Sequence, residues 1–123
     1  MAAPRVLVVD DNTLNVELVQ FVLGSSGFDV QVASDAEQAL VQIAHTPPAL
    51  VLMDVQLPGT DGMELTRRLK ADPATRHIVI VAFTAYAMKG DEARMRAAGC
   101  DGYLSKPIDV NTFASAVRAH LVG

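Results

Sequence analysis

Val6-Leu7-Val8-Val9-Asp10-Asp11-Asn12 decides how the rest of the chain reads. Four apolar residues without polar alternation run straight into two carboxylates. An uninterrupted run of this kind reads as a strand covered on both faces, the mark of a parallel sheet; a half-exposed strand would alternate. Similar runs stand at Ala49–Met53 and Ile78–Phe83, with weaker ones at Asp29–Ala33 and Asp101–Leu104. Between them, helix-period segments cover about 13–25, 35–46, 61–71, 88–98 and 109–122. Ser34-Asp-Ala-Glu37 and Asp61-Gly-Met-Glu64 have capping-box spacing, Asp109 suits the N-cap of the last helix, and Gly27 and Gly99 suit left-handed C-caps. Strict β/α alternation with short connections predicts a (βα)5 unit, a doubly wound parallel sheet with helices on both faces.

The chain has 123 residues, half of them apolar and a fifth charged. That is enough for one packed core and argues against disorder. A formal net charge of −4 argues against a nucleic-acid binder, which neutralises phosphates with clustered Lys and Arg. Cys100, the only cysteine, cannot form an internal disulfide, and no Cys/His cluster has zinc spacing. Apolar runs fall far short of the roughly 18 residues of a membrane span, and Met1–Arg5 has no signal-peptide layout. The expectation is a soluble, cytoplasmic, single domain over 1–123, its core about 5–122, with no room for a further output or kinase domain.

In open α/β sheets, ligands bind beyond the carboxyl ends of the strands near the topological switch point. Asp10 and Asp11 follow the first strand, Asp54 the third, Thr84 the fourth, and Lys106 with Pro107 the fifth. Singly, each has an ordinary reading: Asp10 and Asp11 as caps of the first helix, Asp54 as a turn former ahead of Pro58-Gly59, Thr84 and Lys106 as loop residues. Jointly they place three carboxylates, a hydroxyl and an ammonium at one sheet edge. Carboxylates so close repel one another, and a hard divalent cation such as Mg²⁺ relieves this. Mg²⁺, an ammonium and a hydroxyl around one carboxylate form an electrophilic clamp for a transferring phosphoryl group. Asp54, on the central strand, is the natural acceptor, with Asp10, Asp11 and the Gln56 backbone carbonyl as metal ligands.

Val6-Leu-Val-Val-Asp-Asp-Asn12, Leu52-Met-Asp-Val-Gln-Leu-Pro-Gly59, Phe83-Thr-Ala85 and Tyr103-Leu-Ser-Lys-Pro107 closely resemble the receiver domains of two-component response regulators. The resemblance spans about residues 5–122 and implies a five-stranded α/β sheet of flavodoxin-like type with strand order 2-1-3-4-5. Ala87-Met-Lys-Gly-Asp-Glu-Ala-Arg94, Gly99-Cys100 and Ser105-Lys-Pro-Ile108 look closer still to stand-alone DivK-like cell-cycle regulators and hybrid-kinase receivers. The resemblance implies that Asp54 takes a phosphoryl group from a histidine kinase or phosphotransfer protein. Lys106 would pair with a phosphoryl oxygen, Thr84 would swing towards it, and Tyr103 would turn inward as the switch. Pro107 would follow a cis bond, and Gln56 and Tyr86 would tune hydrolysis, a bulky Tyr86 favouring slow self-dephosphorylation. Such a chain is a phosphoacceptor that assists its own phosphorylation and dephosphorylation, not an enzyme with turnover. It would signal through a phospho-dependent protein target as a monomer or weak dimer; the alternative is a phosphoryl shuttle or sink in a phosphorelay.

On the first helix, Leu14, Leu18, Phe21 and Val22 are expected to pack on the sheet. Val16, Val19 and Leu23 would then form an outward stripe that, with Ile108, docks a kinase or phosphotransfer helix pair. Other chemistries with strand-end carboxylates or this fold fail at single residues. A haloacid-dehalogenase-like phosphatase needs a second Asp where Gln56 stands, and a flavodoxin needs a phosphate-cradling loop where Asp10-Asp11-Asn12 would repel phosphate. His45, His77 and His120 read as structural or exposed, and Cys100 as a small core residue.

Overall fold

A computed structural model of the chain describes residues 4–54, 62–84, 91–105 and 109–122. Ten elements alternate along it: β1 (Arg5–Val9), α1 (Thr13–Ser25), β2 (Asp29–Ala33), α2 (Ala36–His45), β3 (Leu50–Met53), α3 (Gly62–Ala71), β4 (Val79–Thr84), α4 (Asp91–Ala98), β5 (Gly102–Ser105) and α5 (Phe113–Val122). The strands form one sheet in the order β2-β1-β3-β4-β5, parallel at every pairing. This is the expected doubly wound architecture.

The sheet explains the unbroken apolar runs. Leu7 and Val9, Val51 and Met53, and Ile80 and Ala82 face a cluster built with α2, α3 and α4. Their neighbours Val6 and Val8, Leu50 and Leu52, and Val81 and Phe83 face a second cluster with α1 and α5. Both faces are therefore dry, and no polar residue can alternate in. Burying each such side chain contributes about 1.5–3 kcal/mol, so the three central strands dominate stability.

Both predicted glycine caps form, and by the same mechanism. Gly27 has φ +91° and Gly99 φ +110°. Phe28 N–H donates to Leu23 C=O and Gly27 N–H to Gly24 C=O, while Cys100 N–H donates to Met95 C=O and Gly99 N–H to Arg96 C=O. These paired bonds define Schellman motifs, each closed by an apolar contact across the turn. Gly99 is required twice, because a Cβ there would stand 2.8 Å from Lys70 Cγ.

Three local expectations need correction. The second helix is capped one residue later than Ser34-to-Glu37 spacing suggests: Asp35 accepts Gln38 N–H at 2.8 Å, and the Gln38 side chain accepts Ser34 N–H at 3.0 Å. β2 runs to Ala33, and the chain uses Ser34 to turn before the cap. The last helix starts at Phe113 rather than 109. Asp109 instead closes a turn, its Oδ1 taking Asn111 N–H and its carbonyl taking Thr112 and Phe113 N–H. Val110, Asn111 and Thr112 are poor helix formers, so a turn competes well there. Asp61, and the start of the fourth helix at 88–90, lie outside the described residues.

The largest correction concerns α1: Val22 packs inward as expected, but the other residues of its two stripes are exchanged. Val19, Val22 and Leu23 are buried, and Val16 packs against the α1–α5 cluster. Leu14 is 78% exposed, Phe21 73%, and Leu18 is also exposed. Val16, Val19 and Leu23 are thus core residues rather than a docking stripe. Both stripes have helical spacing, so periodicity alone cannot phase the helix. The Schellman turn does so, because it brings buried Phe28 against Leu23 and forces Leu23 inward.

Candidate functional site

The sheet reverses direction of winding at β1, which lies between β2 and β3. The crevice beyond the carboxyl ends of β1 and β3 is therefore where the two halves of the winding part. The ladder carries its residues one step past the strands. Asp54 N–H donates to Val9 C=O at 2.9 Å, and Asp10 N–H donates to Ala33 C=O at 3.0 Å. Both aspartates are held by backbone bonds before their side chains do anything.

Asp10, Asp11 and Asp54 each offer a carboxylate oxygen within 4.8 Å of the other two. Asp10 is 2% and Asp54 7% exposed, whereas Asp11 is open to solvent. The capping alternative for Asp10 and Asp11 falls to a neighbour: Asn12 is the N-cap of α1, accepting Asn15 N–H at 3.1 Å. Asp10 Oδ1 accepts Asn12 N–H at 2.9 Å, which fixes its carboxylate at the crevice. Three carboxylate donors, two of them buried, form an all-oxygen set that suits a hard cation such as Mg²⁺.

Thr84 ends β4 opposite Ser105 of β5, so the backbone brings the fourth and fifth strand ends to the same edge as Asp54. Tyr103 is half-buried on β5, paired in register with Ala82, and packs against the cluster of α2, α3 and α4. Gln56, Tyr86, Lys106, Pro107 and Ile108 lie outside the described residues. Cys100 is buried, as expected, and burial pushes its thiol pKa up against a smaller opposing effect from the Thr66 hydroxyl. Among the described residues, no helix is long and apolar enough to cross a membrane.

The sequence reading missed the outward Leu14, Leu18 and Phe21 face of α1. It rises directly from the Asp10-Asp11-Asn12 loop. It also missed a latch at the far edge of the sheet, where Lys70 Nζ donates to Asp101 Oδ2 at 2.7 Å and to Ile78 C=O at 2.8 Å. Neither left a periodic or motif signal that could be phased without the fold.

On its own, the structure defines a class: a doubly wound α/β protein with an acidic crevice at its switch point. Comparison with known proteins narrows it. Residues 6–118 match the response regulator receiver domain family, and the chain belongs to that family. The polar-differentiation response regulator DivK of Brucella anthropi is 42% identical over 116 residues, covering 94% of each chain, and DivK of Brucella ovis matches to the same extent. A putative response regulator from Chloroflexus aurantiacus superposes with a TM-score of 0.93 at 31% identity, covering 98% of this chain and 99% of that one. The receiver domain of a Pseudomonas aeruginosa sensor histidine kinase, solved with a magnesium ion coordinated in its active-site cleft, has a TM-score of 0.89 at 30% identity, covering 99% and 100%. Receiver domains are signalling modules of two-component systems.

Proposed function

We propose that this chain is a response regulator that accepts a phosphoryl group on Asp54 from a histidine kinase or phosphotransfer protein. The observation that carries the reading is the trio of carboxylates from two adjacent strand ends, within 4.8 Å of one another. An Asp54 oxygen forms the new P–O bond as the donor's P–N bond breaks, and the leaving imidazole keeps the electron pair and takes a proton from water. Asp10, Asp11 and Asp54, with the Gln56 carbonyl, would hold Mg²⁺. Bound there, the ion supplies positive charge against the developing phosphoryl oxygens. Lys106 and Thr84 would add an ammonium and a hydroxyl donor from the neighbouring strand ends.

The output follows from charge. An aspartyl phosphate adds about −1.5 to −2 charge and three acceptors where Thr84 and Tyr103 can respond. Similarity to the DivK regulators supports an adaptor whose phosphorylation alters binding to a cytoplasmic protein target. The exposed Leu14–Leu18–Phe21 face, beside the acceptor, is the surface we assign to the incoming donor.

The test is acyl-phosphate formation with Mg²⁺ and acetyl phosphate, followed on a phosphate-affinity gel. The wild type should shift, and Asp54→Asn or chelated samples should not. Equal labelling of Asp54→Asn would overturn the assignment. A partner that binds the beryllofluoride-locked chain but not Asp54→Asn marks an adaptor; a phosphodonor that binds both alike, with no further partner, marks a shuttle.

A further inference from the structure

β2 lies at the edge of the sheet, so part of its backbone faces no neighbouring strand. Asp29 N–H donates to Pro4 C=O and Asp10 N–H to Ala33 C=O. Backbone groups alternate sides in a parallel ladder, so Asp29, Gln31 and Ala33 turn theirs to β1, while Val30, Val32 and Ser34 turn theirs to the open edge. Two of those outward groups are already taken, and by side chains of one helix. Gln42 Nε2 donates to Val32 C=O at 2.6 Å, and Gln38 Oε1 accepts Ser34 N–H at 3.0 Å. Gln38 and Gln42 stand one turn apart on α2, so both amides reach the same stretch of chain. Opposite Ala33, a residue of a further parallel strand would supply the same pair, an N–H for Val32 and a C=O for Ser34. The two glutamines take the place of that residue.

We propose that Gln38 and Gln42 form a clasp that shuts the β2 edge against pairing with β2 of a second copy of this chain. The common protections of an edge strand are missing here. Asp29–Ala33 contains no lysine and no proline, and its register with β1 is unbroken, so no bulge twists the strand away. Its one charge, Asp29, is paired with Arg5 at 3.3 Å. About a two-fold axis at Gln31, two antiparallel copies set Val30 against Val32 and Asp29 against Ala33, so valine meets valine and no carboxylate faces another. Each Val30–Val32 pair would exchange two N–H···O=C bonds, and one acceptor in each is the Val32 carbonyl that Gln42 holds. Ser34 N–H, the next outward donor, would meet Phe28 of the other copy and is held by Gln38. This self-match commits the occupant to a second copy, because the pairing closes with two-fold symmetry and draws every group from one short segment. The inference does not rest on the phosphoacceptor reading.

The test uses the full chain, labelled with ¹⁵N, beside the double variant Gln38→Ala/Gln42→Ala. Alanine preserves α2, whose Asp35 cap is untouched. In the wild type, the Val30 and Val32 amides should exchange with solvent at one rate up to about 1 mM chain. In the double variant that exchange should slow by about tenfold or more over the same range, while the sedimentation-average mass rises above that of the wild type. Adding Val32→Pro should abolish both effects, because proline there removes an outward donor and no bond to β1. Val32→Lys, which puts a charge on the same edge and leaves the backbone donor in place, should do likewise. A double variant whose mass and exchange match the wild type at every concentration would overturn the proposal. So would association that leaves the Val30 and Val32 amides unprotected, association that survives both edge substitutions, or a wild type whose own edge amides become protected as concentration rises.

Discussion

Replacing Lys70 with Met separates the latch at the far sheet edge from the chemistry at the near one. Lys70 Nζ donates to Asp101 Oδ2 at 2.7 Å, to Ile78 C=O at 2.8 Å and to Arg76 C=O at 3.1 Å. Asp101 Oδ2 also takes Ile80 N–H at 2.8 Å, so one ammonium ties α3 to the entries of β4 and β5. Met keeps the aliphatic stem that packs beside Gly99 and removes only the charged donor. Asp101 is 43% exposed, so solvent screening limits the ion pair to about 0.5–1 kcal/mol. The part-buried Ile78 carbonyl loses a charge-assisted bond worth about 1.5 kcal/mol, whereas water replaces the ammonium at exposed Arg76. The expected loss is about 2 kcal/mol, which for a domain of this size lowers Tm by about 6–10 °C. Urea denaturation with unchanged m-value measures it, and Asp101→Asn in the same background should show coupling of about 0.5–1 kcal/mol. Acetyl-phosphate labelling should stay at the wild-type level, since Asp54 is at the other end of β3. A loss below about 0.5 kcal/mol, or additivity with Asp101→Asn, would refute the reasoning.

Three further outcomes follow from packing. Val19→Glu should destabilise the chain by about 3 kcal/mol or more by burying an unpaired carboxylate, while Phe21→Glu should change stability by no more than about 0.5 kcal/mol, as chemical denaturation would show. Gly102→Ala should cost about 1–3 kcal/mol because its Cβ would collide with the His120 imidazole, and His120→Ala should restore most of that loss in the double variant. Cys100 has a raised thiol pKa through burial, so the folded chain should react with a thiol reagent more slowly than the urea-unfolded chain. The sign for stability follows: the contribution is complete below about pH 8.5, where an unfolded thiol stays protonated, and is lost as pH rises through the higher folded value. Denaturation midpoints at pH 7 and 10, compared with those of Cys100→Ala, read this out.

The strands were legible because burial on both faces leaves a one-dimensional signature, whereas their order came with the family resemblance. Val6–Val9 and Leu50–Met53 read as apolar runs whatever their neighbours are. Glycine caps were legible for a similar reason, since φ near +100° at Gly27 and Gly99 is a local backbone demand that few other residues meet. The three aspartates could be gathered in advance because strand ends in such sheets share one edge, so topology alone brings Asp10, Asp11 and Asp54 together.

What the sequence could not settle was rotation and reach. On α1, Leu14, Leu18 and Phe21 satisfy helical spacing as well as Val16, Val19 and Leu23 do, and 3.6-residue periodicity carries no information about which stripe meets the sheet. Only the closed turn at Gly27-Phe28, pulling Leu23 inward, fixes the phase. Lys70 and Asp101 are thirty-one positions apart and meet because α3, β4 and β5 converge at one edge. Sequence determines what is set by residue type and local geometry; the tertiary structure decides which faces are hidden, because that depends on where the other elements stand.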